Sequence, residues 1–172
     1  MPENLSQNDS DQGFEDEVHT PRGLSWVIGQ GILIALFLIS VFAGDPVEDV
    51  PGLLFARAVG LLVAVVGAAV STWAGLQHGT RLTPFPRPID DMPLIDRGPY
   101  RYVRHPIYSG IIIFTLGVGL AYANPVTLLS SVTFLVFFMA KTGYEEDMLV
   151  EHIPGYRQYR SAVAWRLFPF LV

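Results

Sequence analysis

The sequence predicts an all-α, polytopic integral membrane protein of four spans, with a tight hairpin between spans three and four and a C-terminal cytoplasmic helical segment. Three observations carry this reading. Of the 172 residues, 51% are hydrophobic and only 16% charged, whereas soluble domains run near ~25% charged. Charge-free runs of spanning length recur along the chain. The basic residues collect in segments that alternate with those runs on one side only. The absence of cysteine excludes disulfides, thiolate zinc sites, iron–sulfur clusters and a Cys nucleophile. A net charge of -5 and a pI near 5.2 argue against a nucleic-acid partner.

Residues 1–22 set Glu3, Asp9, Asp11, Glu15, Asp16 and Glu17 against Arg22, a composition that predicts a disordered acidic tail. The opening is acidic where a secretory signal would be basic, so the first apolar run is expected to stay in the mature protein. That run, 23–44, carries no charge and makes roughly 33 Å of helix. Asp45-Pro46 and Val50-Pro51-Gly52 punctuate a short acidic loop. The second run is charge-free over 58–77, with Arg57 just inside its start. Arg57 either snorkels to the interface or joins a buried polar site. Residues 23–77 thus form a two-span unit, and 78–172 the remainder.

The stretch 78–105 is rich in proline and arginine (Arg81, Arg87, Arg97, Arg101, Arg104), and connections this long are functional or disordered. From 106 to 140 there is no charge and no histidine. One helix of that length would be roughly 50 Å, too long for a bilayer. Asn124-Pro125 divides it into spans at 107–123 and 126–141. Gly117-Val118-Gly119 lacks the strand, third glycine and acid of a dinucleotide fingerprint and reads as close packing between helices. Beyond Lys141 the pattern continues as a helix leaving the membrane, breaks at Pro154-Gly155 and resumes as a short amphipathic helix. A mostly apolar end from Trp165 would rest at the interface. The basic residues lie in 78–105 and after 141, which places that loop and both termini in the cytoplasm.

The four histidines (His19, His78, His105, His152) show no metal-ligand spacing, and no nucleophile elbow or phosphate loop occurs. Three polar features remain. Arg104-His105-Pro106 opens the third span beside its unpaired N–H groups, a place suited either to an anion or to an interfacial aromatic–arginine belt. Glu145-Glu146-Asp147 sits near a helix C-terminal end and needs a compensating cation, with Lys141 four residues earlier on the same face. Tyr156-x-x-Tyr159, flanked by Arg157 and Arg160, serves either to wall a flat ring or as an interfacial pair. An anion site, a cation site and aromatic walls on one rim suit a zwitterion bearing an apolar ring, such as S-adenosylmethionine.

The run Arg104-His105-Pro106-Ile107-Tyr108-Ser109-Gly110, followed by Glu145-Glu146 and Gly155-Tyr156-x-x-Tyr159, resembles the isoprenylcysteine carboxyl methyltransferases. The related phosphatidylethanolamine N-methyltransferases share the Pro-x-Tyr-x-Gly turn and the paired glutamates. The resemblance covers roughly 76–172. It implies a membrane methyltransferase using S-adenosylmethionine, with S-adenosylhomocysteine as product, and a cofactor pocket closed by the C-terminal segment. The implied cofactor contacts are Met92, Pro93, Leu94, Ile95, Tyr100, His105, Pro106, Ile107, Tyr108 and Glu145. Within that set, His105 and Tyr108 would take the methionine carboxylate, Glu145 the ammonium, and Leu94, Ile95 and Tyr100 the adenine.

Lys141, with Arg104 as second choice, would orient an anionic lipophilic or prenylated substrate from the bilayer. Glu146 would accept a proton from an amine acceptor. Two departures from the family stand out: Lys141 where prenylcysteine enzymes carry Arg, a change that loses the planar fork, and Met92 where His or Gln is usual. Two other readings share the scaffold, a sterol-type NADPH-dependent reductase and a non-catalytic accessory protein.

Overall fold

The computed structural model describes residues 23–43, 45–49, 51–86, 88 and 92–171; the acidic tail over 1–22 and Arg87 lie outside them. Five α-helices follow in order: α1 (Leu24–Ala43), α2 (Leu53–Leu76), α3 (Pro106–Tyr122), α4 (Pro125–His152) and α5 (Tyr156–Ala162). Two 3-10 turns, Gly79–Arg81 and Gly98–Arg101, interrupt the α2–α3 connection. Among the described residues all regular structure is helical, as the composition predicts. By length and composition α1, α2 and α4 can each cross a membrane. α3 is an apolar helix of 17 residues, roughly 26 Å long.

The helices pack in the spatial order α2, α3, α4, α1. Between α2 and α3 the contact is backbone on backbone. A methyl group added at Gly60, Gly67 or Gly117 would overlap main-chain atoms of the facing helix, and one at Gly110 would meet the Ser71 nitrogen at 2.5 Å. Small residues let two helices approach closely where lipid supplies no hydrophobic drive between them. Gly117 faces Ala64 and Gly119 faces Leu128 of α4, so both glycines of the Gly-Val-Gly run serve packing.

The α3–α4 hairpin turns where Asn124-Pro125 predicts. Ala123 takes a left-handed conformation (φ 52°) and Pro125 occupies the first helical turn. Asn124 is buried at 1% exposure. Its Oδ1 accepts from the Val126 and Thr127 amides, and its Nδ2 donates to the Ser40 carbonyl, tying α1 to the turn. As the pattern beyond Lys141 predicts, α4 continues as one helix out of the apolar layer: it runs 28 residues to His152, about 42 Å. Its polar last turns keep the helical hydrogen bonds and carry Lys141, Glu145 and Glu146 on one rigid rod.

Past Gly155 (φ 83°) and α5, the chain returns as an extended strap against the head of α3. Trp165 and Arg166 carbonyls accept from the Arg104 and His105 amides at 3.0 and 2.9 Å. The Leu167 carbonyl accepts from Ser109 Oγ at 2.5 Å. Leu167 itself is fully buried with Phe37, Ile112, Phe134 and Phe138.

Candidate active site

Where α4 leaves the apolar layer, a cavity of about 380 Å³ opens between it, the α2–α3 connection, the head of α3 and α5. Met92, Pro93, Leu94, Ile95, Tyr100, Arg104, His105, Ile107, Tyr108, Lys141 and Glu145 all line it. Pro106 and Glu146 do not. Pro106 starts α3 one residue behind the wall, and Glu146 points elsewhere.

Glu145 and Glu146 are adjacent on α4, about 100° apart around the helix. Glu145 faces the cavity, and its Oε2 accepts from the Tyr108 hydroxyl at 2.9 Å. Glu146, with a side chain 1% exposed, is ringed by three guanidiniums and an imidazole. Arg104 Nε approaches Oε1 at 2.7 Å, His105 Nε2 the same oxygen at 3.3 Å, Arg160 Nε Oε2 at 3.3 Å and Arg166 Nε Oε1 at 3.5 Å. Arg104 closes the pair bidentately through Nη2 at 3.4 Å and spends Nη1 on the Val163 and Ala164 carbonyls. The expectation of Glu146 as a proton acceptor facing a ligand is therefore not met by the geometry, because both its oxygens are turned to guanidinium and imidazole. Arg104 is likewise committed, as the joint between α3, α4 and the strap.

Lys141 lies near enough to Glu145 to compensate it electrostatically, as the spacing predicts, but without an ion pair within 4.0 Å. Its Nζ donates to Gln30 Oε1 at 2.6 Å and the Pro84 carbonyl at 3.0 Å. It also lies 5.1 Å from the Tyr108 ring centroid. Tyr108 stacks on Phe138 at 4.5 Å, which fixes the hydroxyl that holds Glu145.

The far wall is aromatic. Tyr159 Oη donates to the Tyr100 carbonyl at 2.7 Å, and the Tyr100 hydroxyl pairs with His78 Nε2 at 2.6 Å. Burial pushes the Tyr100, Tyr156 and Tyr159 phenols up and the His78 imidazole down, so these groups are neutral near pH 7. Two buried polar atoms on residues lining the cavity, His78 Nδ1 and Tyr156 Oη, have no hydrogen-bond partner. Unpaired buried polar atoms are costly.

Sequence reasoning passed over Gln30 and His78 and left the Tyr156–Tyr159 pair undecided; all four line the cavity. Gln30 had a legible signal, being the one amide in the otherwise apolar and hydroxyl-bearing α1.

A family model described as phospholipid methyltransferase matches residues 55–154. The chain belongs to the phospholipid methyltransferase family. A probable protein-S-isoprenylcysteine O-methyltransferase of Oryza sativa subsp. indica is 35% identical over 116 residues, covering 63% of this chain and 59% of the relative. The Schizosaccharomyces pombe protein-S-isoprenylcysteine O-methyltransferase is 42% identical over 72 residues, covering 41% and 30%. This family member thus spans about three-fifths or less of the length of these curated relatives. A solved structure, a eukaryotic intramembrane Ras methyltransferase (isoprenylcysteine carboxyl methyltransferase), aligns with a TM-score of 0.63 at 23% identity. That alignment covers 89% of this chain and 54% of that one, and it bears on the fold. An all-helical membrane protein of this family is what sequence and structure agree on.

Proposed function

We propose that the chain is an S-adenosylmethionine-dependent methyltransferase acting at the membrane on a lipophilic acceptor. One observation carries the reading: a single cavity gathers the 92–95 segment, the turn at 104–108 and Glu145, which are the positions that the resemblance assigns to the cofactor. The residues present fit such a group. Glu145 offers a carboxylate whose Oε1 is left for an ammonium once Oε2 has taken the Tyr108 hydroxyl. Leu94, Ile95 and Tyr100 offer apolar walls, with Tyr156 and Tyr159 beside them. When bound, the cofactor would supply an electrophilic methyl group on a sulfonium, open to in-line attack by the acceptor's nucleophile with S-adenosylhomocysteine as the leaving group.

The protein's part is alignment and exclusion of water. Tyr108 holds Glu145 rather than the cofactor carboxylate, since its one proton is already donated. That leaves His105 for the carboxylate, through Nδ1, since its Nε2 is turned to Glu146. Glu146 and Arg104 position the α3 turn and are not reacting groups. Lys141, held by Gln30 and Pro84, is the cation nearest an anionic acceptor arriving through the Phe85, Pro86 and Ile111 side of the cavity. We assign four spans, with both termini and the cavity cytoplasmic, from the distribution of basic residues.

Calorimetric titration of the detergent-purified protein with S-adenosylhomocysteine, with NADPH as control, tests this. Saturable binding of the former is expected, weakened by about 1.5–3 kcal/mol in Glu145→Gln, as for a lost charged hydrogen bond. NADPH binding instead would indicate a reductase, and binding of neither an accessory protein.

A further inference from the structure

Three guanidiniums surround the single carboxylate of Glu146, leaving the cluster with net positive charge. Arg104 is fully used. Arg160 and Arg166 are not. The nearest approach of each to Glu146 is through Nε, at 3.3 and 3.5 Å, and among the described residues no terminal nitrogen of either makes a hydrogen bond to protein. Their side chains are 42% and 27% exposed, and neither lines the cavity. Two guanidiniums beside opposite oxygens of one buried carboxylate are thus held close together despite like charge, without a hydrogen bond from either to that carboxylate. Asp147 and Glu151 of α4 are exposed, and neither comes within 4.0 Å of Arg157, Arg160 or Arg166.

The strap fixes where this pair lies relative to the bilayer. Next to Arg166, Leu167 is buried among Phe37, Ile112, Phe134 and Phe138, side chains of three apolar helices. A few residues on, Phe170 and Leu171 are 87% and 79% exposed, a state suited to hydrocarbon rather than water. Arg166 therefore marks the step from cytoplasmic rim to apolar layer, the depth of lipid headgroups.

We propose that Arg160 and Arg166 form a binding site for the phosphate of an anionic phospholipid headgroup, separate from the cavity. Guanidinium forks match phosphate oxygens with paired hydrogen bonds, and the phosphate neutralises charge that Glu146 leaves uncompensated. Arg157 on the same helix, exposed and without an ion pair among the described residues, adds only diffuse attraction.

The test is lipid selectivity of the full chain in phosphatidylcholine nanodiscs, read by electron spin resonance with spin-labelled phosphatidylglycerol or phosphatidylcholine. Phosphatidylglycerol is expected to associate preferentially. Arg160→Gln and Arg166→Gln are each expected to lower that preference about fivefold, the scale of one basic side chain at a bilayer surface, and Arg157→Gln less than about twofold. Arg160→Lys keeps the charge beside Glu146 but not the fork, so it tests the site even if the glutamine variant fails to fold. A loss of about twofold or more is expected. Full retention of preference in Arg160→Lys, equal losses in Arg157→Gln and Arg160→Gln, or no preference in the parent would each overturn the site. Displacement of the labelled lipid by inorganic phosphate alone would overturn the headgroup assignment in favour of a free anion.

Discussion

Two glutamates one residue apart have opposite surroundings, and that difference orders the chemistry of the rim. Glu145 meets a phenol and a cavity, whereas Glu146 meets three arginines and a histidine. Removing one partner of a buried ion pair leaves charge uncompensated and costs about 3–5 kcal/mol. Glu146→Gln is therefore expected to lower the thermal midpoint in detergent sharply, while Glu145→Gln leaves it nearly unchanged and loses ligand affinity instead. A Glu146→Gln protein that melts normally yet fails to turn over would restore the proton-acceptor role. The pair itself is legible in the sequence, but its division of labour is not, because the cations that capture Glu146 come from α3, α5 and the strap. Lys141 teaches the same point: the four-residue spacing predicts pairing with Glu145, yet a carbonyl of the α2–α3 connection and an amide of α1 hold the ammonium.

At the scale of elements, α2 and α3 meet so closely that side-chain volume is excluded from the seam. Gly67 abuts the backbone of Phe114, whereas Gly31 on α1 has nothing within 4 Å. Gly67→Ala is expected to destabilise by about 1–3 kcal/mol through overpacking. Gly31→Ala is expected to be neutral or to stabilise by up to about 1 kcal/mol through helix propensity. Thermal melts of both variants check this, and similar midpoints for the two would refute the seam. The small residues of α3 suggest close packing from sequence alone. Their partner helix does not follow, because a glycine has no side chain to specify what it faces. The α3–α4 turn was fully legible, since Asn followed by Pro encodes cap and first turn locally. The end of α4 was legible too, because Pro154-Gly155 breaks the helical pattern that continues past Lys141.

For the molecule as a whole, the strap braces the head of α3, behind the cavity wall, by threading back into the core. Five successive carbonyls, Val163 to Leu167, are taken by Arg104, His105 and Ser109, and Leu167 seats the strap among the spans. Leu167→Ala should cost about 2–5 kcal/mol for a fully buried side chain and weaken S-adenosylhomocysteine binding, both measured on one preparation by melt and titration. Unchanged affinity in the folded variant would uncouple strap and site. The sequence by itself determined the membrane class, the helical hairpin, the family motif and part of the cavity wall, because hydropathy, turn chemistry and a short motif are local along the chain. Only the tertiary structure decided which glutamate faces the cavity, that Arg104 joins elements, and that Gln30, His78, Tyr156 and Tyr159 join the wall. Those facts depend on side chains converging from segments far apart in sequence, and no local pattern records the direction from which a distant partner arrives.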